Sequence, residues 1–449
     1  MIFLALGLAV IGSSALGQGV PQLSSRPGAA YTMYLNFGGF NFTGTWGNTN
    51  RTPGNVPAYS VDSNTTSFTA EEIQNIRNVW ARAAEKYVAF GINVTTVDPA
   101  IAAGQAASDF QRQAFYDKTA RLIHTIIGGT NDWYGGAGGV SYVDVAKNSY
   151  DPNQHNGGAG AGWKTNWTFT GSGGTFGWAN SLQFLGEATA HECGHAFGCS
   201  HQSDFTGNTK VNEYSSGNGT GSGSYAPTMG NSYNAQRGAW RQGDAGSTNN
   251  RRTQNDVHVI ASNPGLNLID DGIGHTFSTA TPMAIVDNAV DSSLAKGYIR
   301  PLTENNPNPI GEENYTKDIF AFRSLGGNIN LRLDNGSQYL TPGVADPGAT
   351  LRSKLRIFDR FGNLMAMGTE HSSTMYSTYS ANLAAGDYFA QVTSYGGFTY
   401  GGQYNNGSYF DMGSYFLSGS GSLTMVPEPA TLAALGLGAL ALMRRRRRS

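Results

Sequence analysis

The stretch that most restricts the fold and chemistry of this chain runs from His191 to His201 and reads HECGHAFGCSH. On an α-helix, His191 and His195 lie one turn apart on the same face, so both imidazoles can reach a single metal ion. Gly198 can adopt a positive φ that ends the helix and turns the chain, which brings His201 back as a third ligand. Three nitrogen ligands with an open fourth position are typical of a catalytic zinc site, whereas structural zinc sites are usually closed by four protein ligands.

Glu192 is offset around the same helix, close enough to address a water at the metal without being a ligand itself. Zinc lowers the pKa of a bound water from 15.7 to roughly 7 and polarises a substrate carbonyl. We therefore expect Glu192 to act as the general base, which takes the proton of the attacking water and passes it to the leaving amine. The alternative is a buried helix that carries histidines by chance, but five fixed residues in eleven positions argue against it.

The motif resembles the zinc signature of the metzincin metallopeptidases, a clan with a conserved methionine turn beneath the metal. Met229, in the stretch Tyr225–Gly230, matches that methionine and follows His201 by 28 residues. The resemblance implies a zinc-dependent endopeptidase that acts on protein or peptide substrates, with Met229 supporting the site without touching substrate. Tyr233 follows Met229 by four residues, whereas some families of the clan have a tyrosine two residues after the methionine, so the spacing does not favour a role for Tyr233 at the metal.

The sequence around the motif predicts an α+β catalytic domain over residues 18–265. A capping box at Thr69–Glu72 opens a helix with apolar residues at helical spacing. The predicted zinc helix runs from Leu182 to Phe197, and a closing helix runs from Asn255 to Ile260. Apolar runs predict strands at Tyr31–Phe37, Ile92–Val97, Arg121–Ile127 and Val140–Val145. This order favours a mixed sheet with the zinc helix packed beneath it.

Two further predictions concern this sheet. The clan resemblance implies that an edge strand above the zinc pairs with extended substrate, and Gly138–Val143 is the candidate. An ordinary sheet edge is the alternative. His124 lies in an apolar strand, so we predict a core residue rather than a ligand.

Cys193 and Cys199 are the only cysteines of the chain. Cys193 lies about 200° around the helix from His191, so it should face away from the metal as a small buried apolar residue. A disulfide between the two cysteines remains open in an oxidising compartment.

From residue 266 to 424 the pattern changes to short alternating strands separated by Gly, Asn and Asp turns. The clearest predicted strands are Asp318–Phe322, Leu355–Asp359 and Asp387–Val392. The pattern predicts an all-β sandwich and resembles the bacterial pre-peptidase C-terminal domain. That resemblance implies a non-catalytic role, either in binding substrate, the cell surface or exopolysaccharide, or as a domain removed during maturation.

The two ends of the chain carry targeting signals. Residues 1–17 are apolar and end in small residues, which indicates a signal peptide. In the tail, residues 425–449, Val426–Thr431 precedes an apolar run, Leu432–Met443, and the arginines Arg444–Arg448. The tail resembles the PEP-CTERM sorting signal, which an exosortase recognises and removes at the bacterial cytoplasmic membrane. A helix of this apolar run would be only about 18 Å long, against a bilayer core of ~30 Å. We therefore expect transient membrane anchoring followed by release to the cell surface or the extracellular space, with a permanent anchor as the alternative.

The composition bears on possible partners, on calcium binding and on the alternative class of function. Without the terminal arginines the chain has 31 acidic residues against 24 basic ones, so a nucleic-acid partner is not expected. Acidic and amide side chains in the loops could bind structural calcium, although no EF-hand pattern occurs. A different class of function is also open: a surface matrix or adhesive protein whose peptidase domain is vestigial. A decayed enzyme tends to lose its general base. Because this chain keeps Glu192, the sequence favours an active enzyme over a vestigial domain.

Overall fold

The computed structural model describes residues 19–105, 108–150, 161–301, 317–336, 346, 348–371, 375–394 and 408–426. The predicted signal peptide and the apolar tail helix lie outside these ranges. Within them the chain is rich in β-strands and has few helices, which are α1 (Ala70–Lys86), α2 (Pro99–Ala102), α3 (Asp109–Lys118), α4 (Leu182–Ala196) and α5 (Asp256–Ala261). None of the described helices is both long and apolar enough to cross a membrane.

The strands fall into two regions on either side of residue 266. The first region contains β1 (Tyr31–Asn36), β2 (Phe40–Asn41), β3 (Asn55–Val56), β4 (Ile92–Thr95), β5 (Leu122–Ile127), β6 (Gly139–Val140), β7 (Thr165–Thr168), β8 (Asp204–Thr206), β9 (Thr209–Asn212), β10 (Gly221–Pro227), β11 (Ala235–Ala239), β12 (Arg241–Ser247) and β13 (Asn250–Asn255). The second contains β14 (Thr281–Pro282), β15 (Ile285–Val286), β16 (Ala289–Val290), β17 (Lys296–Ile299), β18 (Lys317–Asn335), β19 (Ser353–Asp359), β20 (Leu364–Met367), β21 (Thr369–His371), β22 (Tyr376–Leu383), β23 (Gly386–Ser394), β24 (Ser408–Tyr409) and β25 (Gly413–Met425).

The first region is built on a five-stranded sheet in the order β4-β1-β5-β7-β6. All neighbouring pairs are parallel except β6, which lies antiparallel to β7 at the edge. The side chains of β1 point alternately into two apolar cores on opposite faces of the sheet, because successive residues of a strand point to opposite faces. Met33 and Leu35 join the core that contains α1 and α4, whereas Tyr34 joins the core that contains Tyr116 of α3.

His124 is a core residue, as predicted. Its ring is fully buried and lies 5.4 Å from the ring of Tyr34 and 4.3 Å from that of Tyr116, between centroids. Burial lowers the pKa of His124 well below its usual value. The imidazole is therefore neutral and forms part of the apolar face opposite α4.

Helix α1 fixes the position of α4. Its capping box is present as predicted, with Thr69 and Glu72 bonded in both directions. The hydroxyl of Tyr87 donates to the Ala190 carbonyl of α4 at 2.8 Å. One turn before the motif, the buried carboxylate of Glu187 lies 2.8 Å from Lys86. Arg82 pairs with the same carboxylate at 3.0 Å, so removing Glu187 would leave the buried Lys86 charge without its counter-ion.

The strand predicted at Val140–Val145 is wrong beyond Val140. After Val140 the chain leaves the sheet, and Asp144 adopts a positive φ of 61°. The backbone amides of residues 144–146 instead donate to the carbonyls of His195 and Ala196 at the end of α4. These amides satisfy carbonyls that the helix end leaves free, so the segment caps the motif helix rather than extending the sheet.

The second region forms a sandwich-like sheet around the long strand β18. The first half of β18 pairs with β23 and the second half with β22, and its register against β25 shifts between Ser324 and Ile329. Gly326 and Gly327, with φ of 88° and 131°, lie at this bend. Buried side chains of these strands form a separate apolar core, which includes Phe320, Leu331, Leu355, Val392 and Leu417. The three strands predicted here all lie within observed strands.

Part of the range 266–424 packs into the first core instead. Strand β24 pairs with β12 antiparallel, and the amide of Phe410 donates to the Trp240 carbonyl at 2.9 Å. Phe410 and Met412 are 0% and 2% exposed and belong to the core of α1 and α4. The two predicted domains are therefore interlocked, since a loop of the second completes the first.

This interlock predicts that Phe410→Ala destabilises the first core. Removing the ring should leave a cavity and reduce the free energy of unfolding by about 3–5 kcal/mol. All seven tryptophans lie between residues 46 and 240, so denaturant unfolding followed by tryptophan fluorescence reports on the first core alone. The control is Phe361→Ala, because Phe361 is 74% exposed and should change stability by less than about 0.5 kcal/mol. A Phe410→Ala transition that coincides with wild type would contradict the interlock.

A second prediction concerns Glu85 of α1, which accepts the amide of Ser414 at 2.7 Å. Burial raises the pKa of Glu85 from 4.5 to about 7. The folded state therefore favours the protonated acid, and the wild type loses stability as the pH rises from 4.5 to 7. Glu85→Gln keeps an acceptor without the charge. The free energy of unfolding of Glu85→Gln, minus that of wild type, should increase between pH 4.5 and 7 and level off at roughly 3 kcal/mol.

Denaturant midpoints measured from pH 4 to 8 test the prediction on Glu85. Glu71→Gln, exposed on the same helix, is the matched control and should show no such rise. A stability difference for Glu85→Gln that is flat with pH would count against a buried carboxyl at this interface.

Candidate metal centre

Helix α4 presents the first two predicted ligands, and the turn after it presents the third. The helix ends at Ala196, one residue before the predicted end, and Phe197 caps it. Gly198 follows with a φ of 108°, in the left-handed region that glycine adopts without strain. His191, His195 and His201 then offer ligand atoms that all lie within 4.8 Å of one another. In the described part of the chain, these three residues form the one such cluster of potential metal ligands.

The hydrogen bonds of the three imidazoles determine which nitrogens face the cluster. Each Nδ1 lies beside an oxygen acceptor, so each carries a proton and leaves a lone pair on Nε2. The acceptors are the carbonyl of Thr228 for His191 at 2.8 Å, the carbonyl of Cys199 for His195 at 2.7 Å, and the carboxylate of Glu213 for His201 at 2.5 Å. The Nε2 atoms of His195 and His201 lie 3.0 Å apart. Two lone pairs this close repel each other unless a cation lies between them, so the donor set fits zinc.

The protonation state of the histidines also suits a metal. Burial lowers the pKa of His191 well below its usual value and that of His195 to about 4. Burial also lowers the pKa of His201, although the Glu213 carboxylate opposes this. Neutral imidazole is the form that binds metal ions. The three ligands are therefore neutral near pH 7.

Glu192 lies beside the ligands and is almost fully buried, at 5% exposed. Burial raises the pKa of its carboxyl well above the usual value. Gly139 of β6 packs against it so closely that a Cβ there would lie 2.6 Å from Oε1 of Glu192. Only glycine at position 139 therefore leaves enough room for the Glu192 carboxyl beside the edge strand.

A cleft of about 570 Å³ opens over the histidines and Glu192. Residues 134–141, which include strand β6, form one wall. Tyr214, Asn231 and Tyr233 also line the cleft. Among the described residues that line the cleft, Glu192 and the three histidines are the only Asp, Glu, Lys, Arg or His side chains.

Met229 lies behind the ligands and does not line the cleft. Its side chain is fully buried, and a Cβ at Gly194 of α4 would lie only 2.5 Å from its sulfur. The turn that contains Met229 contacts both parts of the chain that carry the ligands. The Thr228 carbonyl accepts from His191, and the Met229 carbonyl accepts from the amide of Gln202, next to His201, at 2.8 Å. The turn therefore supports the helix and the third ligand together.

Three residues of the site were not predicted. Glu213 and Tyr214 follow the β8–β9 hairpin, which returns the chain to His201. The Tyr214 ring lies 4.4 Å from that of His201. No spacing rule relates these residues to the motif, since the hairpin alone brings them back. Tyr233, whose spacing did not favour a role at the metal, lines the cleft and packs on Phe184 at 5.0 Å.

The disulfide that the sequence left open is absent. Cys193 and Cys199 are free and fully buried. As the helix geometry predicts, Cys193 faces the sheet, where its sulfur lies 3.2 Å from the hydroxyl of Thr125. Burial raises the pKa of Cys193 to about 12, so the thiol is neutral.

Comparison with known proteins gives a sequence motif in the tail and a weak structural likeness. The model of the PEP-CTERM protein-sorting motif matches residues 426–448. Among solved structures, the pre-peptidase C-terminal domain of a collagenase from Bacillus anthracis shares 19% identity, covering 28% of this chain and 85% of that chain with a TM-score of 0.17. A superposition this poor does not establish a shared fold. No curated protein matches the chain.

The sorting motif bears on location. It indicates recognition by an exosortase-type sorting enzyme and export to the cell surface or the extracellular space. The predicted sorting partner and exported location are thereby confirmed.

Proposed function

We propose that this chain is an exported zinc-dependent endopeptidase. The observation that carries the proposal is the convergence of three Nε2 lone pairs beside one buried carboxyl, with every Nδ1 already bonded elsewhere. The eleven-residue motif and Met229 also resemble the metzincin clan, which supports the same chemistry. Zinc, held by His191, His195 and His201, would supply Lewis acidity and lower the pKa of water to roughly 7.

Glu192 is the residue that moves protons in this proposal. Its apolar surroundings raise its pKa, which makes the ionised carboxylate a stronger base than a solvated one, while the nearby cation would favour ionisation. Glu192 takes a proton from the attacking water and delivers it to the leaving nitrogen. Its burial beside β6 keeps other waters away from the carboxylate.

The substrate lies along strand β6 in this proposal. Residues Gly139 and Val140 form the edge of the sheet, and both line the cleft. An extended peptide added there gains main-chain hydrogen bonds, and its scissile bond passes over Glu192. The predicted edge strand of Gly138–Val143 is shortened to these two residues, so this pairing is short and the walls of the cleft contribute the rest.

The second region is proposed to be a pre-peptidase C-terminal-like domain that binds surfaces or substrate. A groove of about 450 Å³ between β20 and β22, with Met365 and Met367 about half exposed beside it, also favours the alternative function of an adhesive surface protein. In that alternative the histidine site has no turnover. An assay of peptide-bond cleavage distinguishes the endopeptidase from the adhesive protein.

The first experiment compares wild type with Glu192→Gln and His191→Ala, assaying zinc content and cleavage of unfolded casein. Wild type should bind one zinc per chain and cut casein in a chelator-sensitive manner. Glu192→Gln should keep its zinc and lose about 10²–10⁴-fold in rate, because only the base is removed. His191→Ala should lose both. Cleavage by Glu192→Gln at the wild-type rate, or a wild type without zinc, would refute the proposal.

Gly139→Ala tests the close approach between β6 and Glu192. The new Cβ would lie 2.6 Å from Oε1 of Glu192 and 2.7 Å from the Trp167 carbonyl, so the carboxylate or the strand must shift. We expect unchanged zinc content and a loss of about 10²-fold in kcat/KM. Gly177→Ala is the control, since a Cβ there meets no atom within 4 Å. Equal rates in both variants would show that the strand does not position the base.

A further inference from the structure

The three ligands are not held in the same way. His191 and His195 lie on a helix and are 2% and 8% exposed, and their Nδ1 atoms donate to backbone carbonyls. His201 lies on the loop after the helix, and its side chain is 25% exposed. Its Nδ1 meets a side chain, the carboxylate of Glu213. The Nδ1 of His201 is thus held by a side-chain carboxylate rather than by a backbone carbonyl.

Glu213 is itself held in place. Its Oε2 accepts from Lys210 Nζ at 2.7 Å, which leaves Oε1 for His201 at 2.5 Å. Its backbone carbonyl accepts from the Ser203 hydroxyl at 2.7 Å, and the Ser203 amide donates to the Asp244 carbonyl at 2.8 Å. The carboxylate thus reaches His201 from an anchored backbone, with one oxygen already used.

We propose that Glu213 is a positioning residue that selects the tautomer and ring orientation of His201, so that Nε2 completes the metal site. The proposal rests on the zinc site of the proposed function. An imidazole without a partner can flip its ring and can carry its proton on either nitrogen. Glu213 accepts only from a protonated Nδ1, which leaves Nε2 unprotonated, and Tyr214 packs on the ring of the same imidazole. Such partners of ligating histidines typically contribute 10–100-fold in metal affinity.

Zinc competition against a chromophoric chelator tests this in wild type, Glu213→Ala, Glu213→Gln and Asp204→Asn. Glu213→Ala should bind zinc about 10–100-fold more weakly than wild type. Glu213→Gln should lie between them, because its amide oxygen still accepts from Nδ1. Asp204 is a carboxylate of the same hairpin that bonds Asn212, so Asp204→Asn should match wild type. Equal affinity in all four proteins, or an equal loss in Asp204→Asn and the Glu213 variants, overturns the proposal.

A second readout needs no metal. In the zinc-free protein, ¹⁵N chemical shifts of the His201 ring should report a protonated Nδ1 and a bare Nε2. Glu213→Ala should shift this to a mixture of tautomers, and Glu213→Gln should retain the wild-type form; if Glu213→Ala does not fold, the affinity of Glu213→Gln decides alone. An unchanged tautomer in Glu213→Ala overturns the proposal. This measurement separates the two ideas, because a wild type without zinc would refute the proposed function while the tautomer still tests Glu213.

Discussion

The bonds made by the three Nδ1 atoms are the constraint on which the site depends. Each acceptor comes from a different segment: Thr228 in the turn that contains Met229, Cys199 near the end of the motif, and Glu213 after the hairpin. If any segment moves, one Nε2 lone pair turns away from the other two. Neutral histidines offer little attraction for one another, so the protein matrix must impose their convergence before a metal binds.

The same constraint explains why the surroundings of α4 are so closely packed. Tyr87 and the buried ion pair between Lys86 and Glu187 hold α4 against α1. Behind them, the indole of Trp240 donates to the Lys86 carbonyl at 2.6 Å, and its own carbonyl accepts from Phe410. The second region is therefore connected to α4 through Trp240, Lys86 and Glu187. A detachable accessory domain would not supply core residues to its neighbour.

What could be predicted from the sequence depended on local physics. The capping box of α1, the extent of α4 and the turn at Gly198 follow from residues within one or two turns of each other. The strand at Val140–Val145 failed because its amides bond carbonyls at the end of α4, about fifty residues later. The roles of Glu213 and Phe410 could not be predicted for the same reason. Only the tertiary structure brings Glu213 to His201 and Phe410 to Trp240. Apolar patterning cannot distinguish a strand from a segment that caps a distant helix.

X-ray absorption spectroscopy at the zinc edge tests the central claim most directly, because it counts ligands without relying on turnover. The zinc-loaded protein should show three nitrogen neighbours at about 2.0–2.1 Å with an imidazole signature, one or two oxygen neighbours, and no sulfur. Both cysteines and Met229 would then be absent from the coordination sphere, as their positions behind the ligands require. A sulfur neighbour at about 2.3 Å, or a shell without three imidazoles, would contradict the account.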